Sequence, residues 1–404
     1  EFDLAIVGAG PAGATCALYA ARAGLRVALL DRECFPRDKV CGDVIPRKGV
    51  QCLQELGLLD ALHAVPHVRA GGVVFSSPNG TVARVPFAPA GHALDGYVCY
   101  VCRRLVFDEI LFAAASRRAE AHQGLRVEDL IVEGGRVCGV TGTDPSGRPQ
   151  EIRARVVVGA DGFRSIVARR TGLYRHDPAH WAVATRAYYR GVGEVTDAIE
   201  VHFVDDILPG YFWIFPLDGG LVNVGLGMRH DELRTRGIRL RDAHVAATQS
   251  PFFRQRFASA ELVGPITGWN LPLGSRRRPV HGDGFVLLGD AAGLVNPFSG
   301  EGIGNAMWSG RIAAEVLARA CGHGDLSARG LHPYAVQLWA EVGPALKTSH
   351  ALQRLGRVRP LLNLVIDRAA QNPEVRDWVA GMMAGVVPKK VLRSPLTWVR
   401  LLLA

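Results

Sequence analysis

Three glycines near the start of the chain have the spacing that binds a pyrophosphate. Gly8, Gly10 and Gly13 form a G-x-G-x-x-G motif between the apolar run 4–7, typical of a buried parallel strand, and the Ala-rich stretch 14–23, which favours a helix. The first glycine makes the tight turn, the second lets backbone N–H groups approach the phosphates, and the third permits close packing of helix on strand. Because the positive end of the helix dipole faces the phosphates, the motif predicts an anion-binding turn.

The residues around this motif extend the predicted site to a whole dinucleotide. A second apolar run, 26–30, ends in Asp31, and a carboxylate at that place accepts hydrogen bonds from ribose hydroxyls. We assign Ala12, inside the motif, and Arg32, next to Asp31, to the same site. Since strand, helix, second strand and terminal acid occur in the expected order, the sequence predicts a dinucleotide cofactor rather than a glycine-rich turn.

Two later apolar runs end in Gly and Asp in a similar way. The run 152–158 leads into Gly159-Ala160-Asp161-Gly162, and the run 285–288 leads into Gly289-Asp290. Ligands of parallel sheets bind at the carboxyl ends of such strands, where an Asp can hold a ribose or ribityl hydroxyl. Either segment alone could equally be a turn. In combination with the N-terminal motif, Asp161, Gly289 and Asp290 are predicted cofactor contacts.

Length and composition indicate a folded protein with more than one subdomain. The chain has 404 residues, of which 48% are hydrophobic and 21% charged, and its formal net charge is +9. No nucleic-acid motif accompanies this charge, so an anionic cofactor or membrane surface explains it better than a nucleic-acid partner. The eight cysteines fall mostly in predicted strands and helices, which is typical of reduced thiols, and we predict no metal site.

The order of predicted elements indicates a mixed α/β (α+β) fold. We expect a discontinuous Rossmann-like nucleotide-binding domain with an inserted β-rich substrate domain and a C-terminal helical segment. The boundaries are 1–70, 98–170 and 270–330 for the first, 71–97 and 171–269 for the second, and 331–404 for the third. Helices are predicted over 49–59, 231–248 and 302–320.

The three cofactor motifs, taken in order, resemble the FAD-binding fold of the para-hydroxybenzoate hydroxylase superfamily. The resemblance covers residues 2–330 and implies FAD as the cofactor. Arg104, with Phe107 and Asp108, resembles the R-x-x-F-D segment of that superfamily, whose Arg contacts FAD. The stretch 293–304 resembles the end that faces the flavin ring. It implies that Gly302 and Ile303 contact the cofactor at a helix N-terminus, where the dipole stabilises a reduced flavin.

Two further segments resemble the geranylgeranyl reductase family. Tyr211, Trp213, Phe215 and Pro216 form its Y-x-W-x-F-P segment, which lines the prenyl cavity in that family, and G-x-G follows at 225–227. Alternate residues of a strand share one face, so the three aromatic side chains would build one wall. A core-facing aromatic strand is the alternative interpretation.

The second of these segments, 39–43, resembles the K-x-C-G stretch of the same reductases, whose Cys lies beside the flavin. The resemblance implies a catalytic, flavin-adjacent role for Cys41 and a cofactor contact for Gly42. A small buried hydrophobe is the alternative for Cys41. After Asp43 the chain departs from the G-D-G-L-x-P-R of some bacterial members, which leaves the substrate open.

The resemblance implies an FAD-dependent oxidoreductase that reduces C=C bonds of an isoprenoid, a geranylgeranyl-type or prenyl-lipid substrate, by hydride transfer from reduced flavin. An FAD-dependent monooxygenase that epoxidises or hydroxylates a lipophilic substrate is the alternative, because one fold hosts both chemistries. We see no equivalent of the W-x-W-x-I-P segment of flavin halogenases. No second G-x-G-x-x-G exists, so the electron donor, NADPH, ferredoxin or another reductase, is left open together with the oligomeric state.

The end of the chain predicts peripheral contact with a membrane. Lys389, Lys390, Arg393 and Arg400 are basic, no acid lies within 387–404, and Trp398 stands among several leucines. Basic residues bind anionic headgroups, and Trp favours the interface. A terminal helix packed on the protein's own core is the alternative. We therefore expect a cytoplasmic protein with a lipophilic substrate, peripheral at the membrane if this segment binds it.

Overall fold

The computed structural model describes residues 1–87 and 99–376. The α-helices within these ranges are α1 (Pro11–Arg22), α2 (Arg47–Leu56), α3 (Leu59–His63), α4 (Arg104–Ser116), α5 (Ile166–Arg170), α6 (His230–Arg236), α7 (Leu240–Gln249), α8 (Ile303–His323), α9 (Ala328–Glu341), α10 (Gly343–Leu355) and α11 (Arg359–Gln371). The strands are β1 (Phe2–Val7), β2 (Val27–Asp31), β3 (Val44–Ile45), β4 (Val68–Arg69), β5 (Gly72–Ser76), β6 (Val82–Pro86), β7 (Tyr100–Val101), β8 (Glu120–Gln123), β9 (Arg126–Glu133), β10 (Arg136–Thr143), β11 (Pro149–Gly159), β12 (Trp181–Arg190), β13 (Ile199–His202), β14 (Tyr211–Pro216), β15 (Leu221–Arg229), β16 (Glu261–Pro272), β17 (His281–Gly282) and β18 (Phe285–Leu287).

The first sheet is organised around the N-terminal strand. β1 lies between β2 and β11, parallel to both, and β11 is parallel to β18. Residues 4–6 are fully buried, as expected for a parallel sheet covered on both faces, and this explains why the strand is a continuous apolar run. Because the four strands share a direction, the segments that follow them meet at one edge of the sheet.

Helices α1 and α8 cover one face of this sheet and pack against each other. Gly310 of α8 lies at the contact, where a Cβ would come within 2.5 Å of the Ala12 carbonyl oxygen. The close approach fixes the N-terminus of α8 relative to the glycine motif. The N-termini of both helices, with their positive dipole ends, therefore lie near the same sheet edge.

A second sheet has the strand order β16-β12-β15-β14-β13-β5-β6. Within it β13 and β5 are parallel, and the other neighbouring pairs are antiparallel. One face of β14 packs Phe212 and Ile214 into a core with Ala247 of α7. The opposite face carries Tyr211, Trp213 and Phe215, so the predicted alternation is present.

The fold class predicted from the sequence is confirmed. A three-stranded sheet of β3, β7 and β4 completes the mixed architecture, and α9, α10 and α11 form the described part of the C-terminal helical segment. The domain boundaries stay a prediction. The segment 387–404, for which we predict membrane contact, lies outside the described residues, and within them no helix is long and apolar enough to cross a bilayer.

Two predicted helices are each broken in two. The helix predicted over 231–248 is α6 followed by α7, because Gly237 ends α6 with φ +63°. The helix predicted over 49–59 ends at Leu56, where Gly57 has φ +71°, and α3 follows. In both cases a left-handed glycine stops the helix, which the apolar spacing alone does not reveal.

Candidate active site

The glycine turn after β1 is held by close backbone contacts. Gly8 has φ +99°, and a Cβ there would lie 2.4 Å from the Ala160 carbonyl oxygen. A Cβ on Gly13 would lie 1.8 Å from the Gly8 carbonyl oxygen. The Asp31 carboxylate accepts hydrogen bonds from the backbone N–H of Ala9 at 2.7 Å and of Glu33 at 2.9 Å. The carboxylate thus holds the end of β2 against the glycine turn, and Asp31 also lines the cavity.

The two other predicted acids stand at the same edge of the sheet. Asp161 accepts a hydrogen bond from the backbone N–H of Ile166 at 2.6 Å, while its Oδ1 is buried with no partner among the described residues. Burial raises the pKa of this carboxyl, against hydrogen bonds from Ser165 and Ile166. Lys39 lies with its Nζ 3.8 Å from Asp290 Oδ2. The edge therefore offers an unsatisfied acceptor, a carboxylate and an ammonium to a polyhydroxylated anionic ligand.

Arg104 is held in place by the acid of its own predicted segment. It is 2% exposed, and its Nε and one terminal nitrogen each donate to Asp108 at 2.6 Å. Arg37 donates to the same carboxylate at 2.5 Å. Burial is the largest single effect on Asp108 and opposes its charge, but the charges and hydrogen bonds of Arg104 and Arg37 together outweigh it and lower the pKa of this carboxyl. Two guanidinium groups share one carboxylate, so this side of the cavity keeps a net positive charge that suits phosphate.

The K-x-C-G stretch is fixed to the second sheet by a buried polar network. Asn223 of β15 donates to the Cys41 carbonyl oxygen at 2.8 Å and to Asp43 Oδ2 at 2.7 Å, and it accepts from Trp213 Nε1 at 2.8 Å. Tyr188 donates to Asp43 Oδ2 at 3.0 Å. Asp43 is fully buried with φ +65°, and burial raises its pKa to about 6 despite these hydrogen bonds. One amide therefore sets the position of Trp213 relative to Cys41.

The aromatic wall predicted on β14 lies against this stretch. The ring centroids of Tyr211 and Trp213 are 6.0 Å apart, and those of Trp213 and Phe215 are 5.9 Å apart. A Cβ on Gly42 would lie 3.0 Å from the Phe215 ring. A side chain here would crowd the Phe215 ring, so the two sequence segments make their close contact at Gly42.

A loop before α8 closes the end of the wall. Tyr211 donates a short hydrogen bond to the Ser299 carbonyl oxygen. Asn296 accepts from the backbone N–H groups of Phe298 and Ser299, both at 3.0 Å. The loop leads into Gly302 and Ile303, the predicted flavin-facing residues at the N-terminus of the 21-residue helix α8.

One cavity of about 1080 Å³ joins these parts. Most of the predicted site residues line it: Gly8, Gly10, Ala12, Asp31, Arg32, Cys41, Gly42, Arg104, Asp161, Tyr211, Trp213, Phe215, Asp290, Gly302 and Ile303. Gly13, Gly289 and Pro216 are not among the lining residues. Gly13 and Gly289 act through packing instead, since a Cβ on Gly289 would lie 3.2 Å from the side chains of Ala12 and Ala306.

The geometry fits FAD at one end of this cavity. The glycine turn, the unsatisfied Asp161 oxygen and the positive side near Arg104 match a pyrophosphate and its sugar hydroxyls. Pockets for ordinary small ligands span roughly 300–1,000 Å³, so this cavity of about 1080 Å³ is slightly larger than that range. The part that faces the aromatic wall is apolar and is formed by other elements than the cofactor cradle.

The sequence did not predict the residues that hold the K-x-C-G stretch and the aromatic wall in place. Asn223 and Tyr188 belong to no motif, and Lys39 was singled out only as the first residue of the K-x-C-G stretch. The one available signal was Asn223, an amide between Val222 and Val224 in an apolar strand, because a buried amide needs hydrogen-bond partners. Asp43 with its positive φ could not be recognised before the structure was known.

Known proteins resemble the chain along nearly its whole length. The FAD binding domain family matches residues 1–334. Menaquinone reductase of Mycobacterium tuberculosis is 33% identical and aligns over 95% of each chain. Digeranylgeranylglycerophospholipid reductase 2 of Methanopyrus kandleri is also 33% identical, over 98% of this chain and 97% of the relative.

Solved structures share the fold at lower identity. A geranylgeranyl bacteriochlorophyll reductase-like protein from Thermoplasma acidophilum is 22% identical, with a TM-score of 0.82 over 96% of this chain and 97% of the other. A flavin-dependent brominase is 23% identical, with a TM-score of 0.79 over 95% and 93%. At these identities the likeness concerns the fold alone. On the evidence of its cofactor motifs, its cavity and its relatives in sequence, the chain belongs to the geranylgeranyl reductase family of FAD-dependent oxidoreductases.

Proposed function

We propose that the protein saturates carbon–carbon double bonds of a prenyl lipid. The observation that carries this proposal is the single cavity in which the predicted FAD cradle opens onto an apolar, aromatic chamber at Cys41 and Gly42. The names of the relatives support it, since they are reductases of menaquinone and of digeranylgeranylglycerophospholipid.

The side chains that line the chamber suit a polyprenyl chain. Val73 and Phe75 of β5 and Val201 of β13 line it next to the aromatic wall, and Phe298 closes one side. These side chains offer apolar surface and no charge, so a hydrocarbon chain gains from burial there at about 25 cal/mol per Å². A polar substrate would find no partners among them.

Each side of the cavity has a separate task in this proposal. Asp31, Arg104, Asp161 and Asp290 hold the cofactor, and the N-terminus of α8 directs its positive end at the flavin ring. Bound FAD, once reduced, supplies the hydride. The chain's own side chains orient the alkene next to the flavin and exclude water from the reaction.

The aromatic wall stabilises the positive charge that develops on the substrate during reduction. An isolated alkene has no carbonyl to absorb charge, so its reduction develops positive charge on carbon. The faces of Tyr211, Trp213 and Phe215 carry negative quadrupole charge and attract a cation. The hydrogen bond from Trp213 to Asn223 keeps that ring in place beside Cys41.

The proposal is tested by anaerobic incubation of dithionite-reduced enzyme with a panel of prenyl lipids, read by mass. We expect products that have gained two hydrogens per saturated bond. Products that have gained an oxygen in air, with stoichiometric oxygen uptake and no reaction without oxygen, would establish the monooxygenase alternative instead. Trp213→Ala should lower the rate in the first case, and Phe252→Ala, at an exposed aromatic residue outside the cavity, serves as its control.

A further inference from the structure

Glu301 lies where the N-terminus of α8 meets the apolar chamber. It directly precedes Gly302 and lines the same cavity as Tyr211 and Cys41. A Cβ on the neighbouring Gly300 would lie 2.9 Å from the Tyr211 hydroxyl, which donates to the Ser299 carbonyl oxygen. The turn that carries Glu301 therefore packs on the first residue of the aromatic wall.

One oxygen of the Glu301 carboxyl has no partner in the described part of the chain. Its Oε1 is buried and makes no hydrogen bond. Leaving a buried acceptor of this kind unpaired costs about 1–3 kcal/mol, more if it is charged. Burial raises the pKa of the carboxyl, against the charge of Lys48 and the backbone N–H groups of Asn305 and Gly304, which lower it. The carboxyl thus holds its proton more firmly than an exposed glutamate does.

Three other proton-bearing side chains around Glu301 are weaker acids or are engaged in hydrogen bonds. Burial raises the pKa of Cys99 to about 12, and the charge of the nearby Glu301 adds to the effect. Burial likewise raises the pKa of Tyr211 above its ordinary value, and its hydroxyl is bonded to Ser299. Lys48 donates to Asn305 Oδ1 at 3.1 Å and so lies beside the carboxyl rather than in the chamber.

We propose that Glu301 is the proton donor of the double-bond reduction, an inference that rests on the proposed function and deepens it. The π bond breaks as two C–H bonds form, one with the hydride from reduced FAD and one with the carboxyl proton of Glu301. The electrons of the O–H bond stay on the carboxylate, and FAD ends oxidised by two electrons. Lys48 and the positive end of α8 stabilise the carboxylate until it takes a proton from solvent.

The test compares three variants of the FAD-loaded enzyme. Glu301→Gln keeps the shape but has no acidic proton, Glu301→Asp keeps the acid, and Glu315→Gln makes the same change on the exposed face of the same helix. Infrared difference spectra of the resting enzyme show whether a protonated carboxyl is present at neutral pH. Single-turnover saturation of a prenyl lipid and the dissociation constant of that lipid are measured in parallel.

We expect the protonated-carboxyl band in the wild type and in Glu315→Gln, and its loss in Glu301→Gln. Saturation should slow by about 10²–10⁴-fold in Glu301→Gln with lipid affinity within about threefold, and Glu301→Asp should restore part of the rate. A wild-type rate in Glu301→Gln, or no protonated carboxyl assigned to this residue, would overturn the proposal and leave Cys41 as the next donor to test. If the wild type saturates no prenyl lipid, the proposed function fails, whereas the infrared band still decides whether Glu301 carries a proton.

Discussion

Removing the Asn223 side-chain amide should loosen the contact between the Cys41 loop and the aromatic wall. Asn223→Leu keeps a similar shape but deletes three hydrogen bonds, of 2.7 and 2.8 Å to the Cys41–Asp43 segment and of 2.8 Å from Trp213. Each is worth about 1 kcal/mol, and the partners left unpaired at this fully buried position add to the loss. We expect the free energy of unfolding to fall by about 3–5 kcal/mol, a large share of the stability of a typical domain.

The assay is urea unfolding at a fixed FAD concentration, since bound cofactor stabilises the folded state. Gln54→Leu, which removes an exposed side-chain amide on α2, is the control and should stay within about 1 kcal/mol of the wild type. Trp213→Phe removes only the indole donor. The combined variant should lose at least about 1 kcal/mol less than the sum of the two single losses, because both remove the same hydrogen bond.

Two results would refute this reasoning. A loss below about 1 kcal/mol for Asn223→Leu would mean that the buried network contributes little to stability. Strictly additive losses in Asn223→Leu and Trp213→Phe would mean that the indole and the amide are not coupled.

Three further changes test other parts of the site. Cys41→Ala should slow flavin reduction or alter which bonds are saturated, with little loss of stability because the cavity left is small; turnover and products equal to those of the exposed-cysteine variant Cys34→Ala would give Cys41 a packing role only. Since the folded pKa of Asp43 is about 6 and the unfolded value is about 3.9, the folded state takes up the proton first as the pH falls. Wild-type stability relative to Asp43→Asn should therefore rise by about 2–3 kcal/mol from about pH 7 to about pH 4, and a flat difference in urea unfolding would contradict the buried position. A chain that ends near residue 385 should bind anionic liposomes less than the full chain, with salt weakening the latter; equal co-sedimentation of both would end the membrane prediction.

The cofactor cradle was predictable because each part depends on local chemistry. Gly8 and Gly13 are glycines for a steric reason that the spacing already expresses, and Asp31 ends a strand that its apolar run identifies. The alternation of Tyr211, Trp213 and Phe215 likewise follows from the period of a strand. For these segments the structure gives the positions and distances, and their contacts with cofactor and substrate stay a prediction.

The contacts between distant segments were not predictable in the same way. That Asn223 lies behind Cys41 depends on how β15 pairs with β14 and on where the loop crosses the sheet, and neither is encoded within one segment. The unpaired oxygen of Glu301 also results from packing, because the residues around it come from three separate elements, α2, β14 and α8. Gly57 and Gly237 stop helices through their backbone angles, which the apolar periodicity does not report.

The most direct measurement of the central claim follows the flavin itself. Enzyme reduced by dithionite is mixed anaerobically with a prenyl lipid, and the flavin spectrum is recorded while the lipid is analysed by mass. If the cradle and the chamber form one active site, one flavin becomes oxidised for each double bond that disappears, and Trp213→Ala slows both together. A flavin that stays reduced with every prenyl lipid until oxygen is admitted would contradict the account.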